Sequence, residues 1–109
     1  MANTYKVLGQ SDPAAATLTT VYTVPGATSV VGSTIVVCNR SSVATTFRIA
    51  VRPAGAGIAN QHYLAYDAEI LGNEIYTFTI GFTLATTDVI SVYATLATLS
   101  FNVFGQEIT

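Results

Sequence analysis

The stretch TIVVCNRSSVATTFRIAVR, Thr34 to Arg52, decides how the chain is read. Its arms, Thr34 to Cys38 and Thr45 to Val51, are dense in β-branched and apolar residues, and the Asn39-Arg40-Ser41-Ser42 cluster between them is turn chemistry. The reading is a β-hairpin or a closely spaced pair of core strands. Strand side chains alternate between faces, so Phe47, Ile49 and Val51 form an inside, and Thr46, Arg48, Ala50 and Arg52 an outside.

Working outward, Tyr5 to Gln10 is a strand closed by Ser11-Asp12-Pro13, and Leu18 to Val24 is another, stopped by Pro25-Gly26. Val30 to Val37 leads into the central pair. The small residues Pro53 to Gly57 form a loop after it, followed by a strand region from Tyr63 to Tyr66 that extends toward Ile70, and by the turn Leu71-Gly72-Asn73. Glu74 to Phe82 alternates, with Tyr76, Phe78, Ile80 and Phe82 on one face. Val89 to Ala94 and Leu99 to Phe104 come last, joined by a turn at Thr95 to Thr98. About eight short strands with no helix predict an all-β chain, an antiparallel β-sandwich or jelly roll. Parallel α/β folds are excluded, because no connection has room for a crossover helix. The expectation is one domain over residues 1–109, with extended segments at residues 1–4 and 105–109, the latter fraying or adding an edge strand to a partner.

Composition narrows the function classes. Only 9% of the 109 residues are charged against 50% hydrophobic, where soluble domains carry roughly a quarter charged. Such a domain sits in apolar surroundings or has much of its surface covered by protein. A membrane setting is not expected, since threonine, serine, alanine and glycine interrupt every apolar run before the roughly 18 to 20 residues of a spanning helix. Four basic residues and a net charge of −2 do not make a phosphate-tracking stripe, so nucleic acid is not an expected partner. The start, MANTYKVLGQ, lacks a basic segment followed by an apolar one, and the single Cys38 fits a protein made in a cytosol.

Catalytic chemistry finds little to use. A thiolate mechanism would need Cys38, His62 and a carboxylate such as Asp67 together, and Cys38 in its apolar strand reads as a small buried hydrophobe. One histidine is too few for a zinc site, and Asp67 with Glu69 too sparse for calcium. Those carboxylates, at i and i+2, read as a solvated edge or as ion-pair partners of an arginine. Gly55 and Gly57 have no following helix to present donors to a phosphate. No catalytic, cofactor-binding or metal residue is therefore assigned. Three features point to partner contact instead: Arg48 with Arg52 on one outward face, the His62, Tyr63 and Tyr66 cluster, and threonine-rich outer faces that cost less to bury than lysine and glutamate. These describe an assembly component.

Read as whole phrases, YKVLGQ, VYTVPGATSVVGSTIVVCNRSSVATTFRIAVRPAG, HYLAYD and TLATTDVISVYATLATLSFNVFGQEIT, the chain resembles small β-sandwich virion structural proteins of tailed bacteriophages. The phrases are strands and turns, without a catalytic signature. The resemblance implies a virion location after synthesis in the host cytoplasm, a homo-oligomer (commonly a trimer) and no enzymatic activity. It implies a capsid decoration or cement protein that binds across subunits of the major capsid protein, or else a tail fibre or baseplate module that binds tail proteins or a host-surface glycan. It supplies no motif residues to transfer.

Overall fold

Alternating β-branched and aromatic residues build nine strands in the computed structural model, which describes residues 2–109: β1 (Asn3–Ser11), β2 (Thr19–Thr23), β3 (Ser29–Asn39), β4 (Thr45–Arg52), β5 (Tyr63–Ile70), β6 (Ile75–Phe78), β7 (Phe82–Leu84), β8 (Val89–Ala94) and β9 (Leu99–Ile108). They form two antiparallel sheets packed as a β-sandwich. The first has the order β1-β9-β3-β6, with β7 also pairing β3, and the second the order β2-β8-β4-β5. Inward residues of both sheets, among them Ile35, Val37, Phe47, Ile49, Ile90, Val92, Phe101 and Val103, make one buried core.

The central pair is not a hairpin. β3 pairs with β6, β7 and β9, while β4 pairs with β5 and β8. The chain crosses between sheets after Asn39, because each strand has one strongly apolar face and facing them across the interior buries both. Asn39 holds this crossover. It is 1% exposed, its Nδ2 donates to the carbonyls of Val43 (2.9 Å) and Leu71 (3.2 Å), and its Oδ1 accepts from the Ser41 N–H (3.1 Å). The β5–β6 turn reaches this point because Gly72 has no side chain: a Cβ there would fall onto the backbone carbonyl of Ser42.

Two further expectations are corrected. Residues 74–82 are not one strand: β6 ends at Phe78, Gly81 takes a left-handed φ of +64°, and the chain re-enters the sheet as β7. A bulge in β3 between Gly32 and Thr34 lies between these two short pairings. Residues 105–108 are no free tail either. They continue β9 through the middle of the first sheet, where Ile108 stands opposite both Asn3 and Ser29, and the backbones of Thr109 and Ala2 exchange hydrogen bonds of 2.9 and 3.0 Å. Residues 3 and 4 are likewise part of β1; Met1, expected in an extended segment, lies outside the described residues.

Glu107 explains how a polar β9 tail enters the sheet. Its register places it on the inner face beside Val30, where it accepts a hydrogen bond from the Tyr22 hydroxyl of the opposite sheet and pairs with Lys6 Nζ at 3.4 Å. Burial, then this carboxylate, raises the Tyr22 pKa well above the ordinary tyrosine value. Since the folded pKa exceeds the unfolded value of about 10, the stability from neutral Tyr22 is complete below that value and lost as pH rises through the folded pKa. An ultraviolet phenolate titration should therefore show one of the six tyrosines ionising only with alkaline unfolding, and Tyr22→Phe should remove that late step while lowering stability at neutral pH by about 1.5–3 kcal/mol.

Candidate functional site

Outward alternation on β4 brings Arg48 between two rings from its neighbouring strands. Its guanidinium carbon lies 4.2 Å from the ring centre of Tyr66 on β5 and 4.4 Å from that of Tyr93 on β8. Its Nε donates to Asp67 Oδ1 at 2.7 Å and its Nη2 to Oδ2 at 3.4 Å. The hydrogen bond to Asp67 above all keeps the Arg48 pKa raised over its ordinary value, against a smaller desolvation effect. Asp67 has a φ of +52° where the β4–β5 pairing shifts register, and this bulge presents Tyr66 and Asp67 together to Arg48. Tyr63 packs edge-on to Tyr66 with ring centres 4.8 Å apart. Beside them Asn60, Tyr63 and Tyr66 line an open groove of about 370 Å³.

The other two candidates on this side stabilise the loop. Arg52 Nε donates to Ser91 Oγ (3.2 Å), and its Nη1 donates to the carbonyls of Gly55 (3.3 Å) and Ala56 (2.9 Å). His62 is buried, and its Nδ1 accepts the Ala59 N–H at 3.1 Å, which leaves the proton of a neutral ring on Nε2. Arg48, Tyr63 and Tyr66 thus form one cluster, whereas Arg52 and His62 pin residues 53–62 onto the same sheet. Tyr93 completes the cluster but cannot be assigned to it from sequence, because the β4–β8 register is not legible there.

Cys38 is not in the core. Its partners in register are Ser100 and Ile75 on the outer face of the first sheet, while Val37 and Asn39 point inward. The thiol therefore stands on the opposite side of the sandwich from His62 and Asp67. Among the described residues, no three His, Cys, Asp or Glu side chains gather into a metal-binding group.

The outer face of the first sheet is a broad, mostly uninterrupted surface built from four strands at each level. Register and alternation place Tyr5 and Val7 of β1, Asn102, Phe104 and Gln106 of β9, Val31, Thr34, Val36 and Cys38 of β3, and Ile75 and Thr77 of β6 on it. Tyr5 is 81% exposed, Ile75 67% and Val31 41%. The charged residues in this sheet's strands, Lys6 and Glu107, take inner register positions, so none of the outward strand residues is charged; Asp12, just beyond β1, borders the face beside Gln10 and Asn102. A shallow depression of about 500 Å³ opens in it between Tyr5, Val31 and Phe104, with Lys6 also in its lining.

No protein-family model matches the chain, and no curated protein or solved structure does.

Proposed function

We propose that the protein is a structural component of a tailed-phage virion, of the capsid decoration type, that stabilises the head by binding across subunits of the major capsid protein. The observation that carries this reading is the outer face of the first sheet, whose outward strand residues are uncharged and leave Tyr5, Val31 and Ile75 exposed, a surface suited to permanent cover by protein within an assembly. Desolvating such a face costs far less than desolvating lysine and glutamate, and the cores of interfaces are depleted in charge for that reason. The strand order 1-9-3-6 facing 2-8-4-5 supports a finer description of the sandwich as a jelly roll, a fold that recurs in viral capsid domains; that support is by analogy of fold. The resemblance of the strand phrases to phage virion proteins points the same way.

On this reading the Arg48, Tyr63 and Tyr66 cluster meets the shell, since arginine and tyrosine concentrate binding energy at interfaces. Stabilisation follows mass action, because a ligand of the assembled shell that ignores free subunits favours the shell. An oligomer touching several subunits gains further from effective concentration. Purified protein added to expanded, undecorated shells is expected to bind and raise their disruption temperature, and Tyr66→Ala to weaken binding by about tenfold or more. Absence of both binding and thermal shift rejects the reading.

The groove beside Asn60, Tyr63 and Tyr66 favours one other reading, a tail fibre or baseplate module that stacks a host-surface glycan on its tyrosines. Copy number by quantitative mass spectrometry of particles separates the two: a decoration protein is present in hundreds, a fibre module in tens at most.

A further inference from the structure

Every edge of the sandwich is blunted against pairing. β1 carries Lys6 and a bulge between Val7 and Gly9, β2 a bulge between Thr20 and Tyr22, and β5 two register shifts together with Asp67 and Glu69. β6 and β7, on the remaining edge, are 4 and 3 residues long. Short, bulged and charged edges are the usual protection against strand addition. The outer face of the first sheet has no such protection, so a partner is expected on the face and not along an edge.

The chemistry of that face matches itself. Its polar residues are amides and hydroxyls, including Gln10, Asn102, Gln106, Thr34 and Thr77, each of which both donates and accepts hydrogen bonds. Apposed to its own copy, the outward strand residues of the face set no like charges together, although the chain as a whole has a net charge of −2. The face is four strands wide and runs the ten residues of β9, roughly 20 by 30 Å at ordinary strand spacing and rise, which is of the order of the roughly 800 Å² per partner of a stable interface.

We propose that the outer face of the first sheet binds a second copy of this chain, face to face about a twofold axis. A twofold contact joins one patch to itself, as this self-complementary face requires; the trimer implied by resemblance would need two different patches that fit each other. The inference rests on the assembly reading above and names the partner of its carrying surface.

The test is sedimentation equilibrium of the full chain as wild type, as Val31→Lys on the face, and as Thr20→Lys on the outer side of the opposite sheet, with a thermal melt of each to establish folding. Wild type and Thr20→Lys are expected at twice the 11.4 kDa chain mass, and folded Val31→Lys as a monomer, its dimer constant weakened by about 100-fold as each copy buries an ammonium group without a partner. A monomeric wild type at tens of micromolar overturns the inference, as does a Val31→Lys chain that stays dimeric or a Thr20→Lys chain that dissociates equally. A monomer that still binds shells removes the twofold contact and leaves the virion reading standing. A dimer dissociated by Val31→Lys that ignores shells upholds the contact and removes the virion reading.

Discussion

Replacing Phe47 by alanine is expected to cost about 3–5 kcal/mol of folding stability. Phe47 is 0% exposed and meets Tyr76, Phe78 and Phe101 edge-on, at ring-centre distances of 5.7, 6.0 and 6.2 Å. The last three belong to the first sheet and Phe47 to the second, so this ring is where the sheets grip one another. Removing it loses the transfer free energy of a phenyl group and leaves a cavity walled by other rings, which cannot collapse inward without breaking sheet pairing. Urea denaturation followed by circular dichroism should show a lower midpoint at unchanged slope. A loss below about 1 kcal/mol would mean that the two layers are held together elsewhere.

Asn39→Ala is expected to cost about 2–4 kcal/mol, more than a surface substitution ever should. The change strips hydrogen bonds from the carbonyls of Val43 and Leu71 and from the Ser41 N–H at once. Asn39→Asp discriminates further: a carboxylate facing two carbonyls is disfavoured, so its folded pKa rises above the ordinary value of about 3.9. That variant should be most stable below this value, where the protonated acid donates, and lose stability as pH rises through the folded pKa. Equal loss in both variants at all pH values would show that Asn39 acts by packing alone.

Alternation in the sequence was enough to find the strands and to put Arg48 on the outside of β4 with Phe47 and Ile49 inside. It was not enough to find their partners. Residues 34–52 read equally as a hairpin or as two facing strands, because alternation is the same in both; the difference lies in Asn39, whose side chain holds the crossover instead of a two-residue hairpin turn. Gln106 and Glu107 looked like tail chemistry, since nothing local shows that Tyr22, far away in sequence, supplies a hydroxyl to Glu107. Cys38 reads as internal because it ends the apolar run Ile35-Val36-Val37, yet only one of its strand's faces is in the core. Arg48, Tyr63 and Tyr66 were recognisable as outward or edge residues, whereas Tyr93 joined them only through register. The uncharged face draws on β1, β3, β6 and β9, so the sequence shows its scarcity of charge without its location.

Cys38, the single cysteine, lies on that face and reports on whether it is covered. The most direct measurement is the rate at which a bulky maleimide alkylates Cys38 in the assembled protein, compared with folded Val31→Lys in isolation. A face covered in the working state predicts alkylation slowed by about tenfold or more in the assembly, with the rates converging on dilution below the dissociation constant. Equal rates at every concentration would contradict the claim that this face is where the protein meets its neighbours.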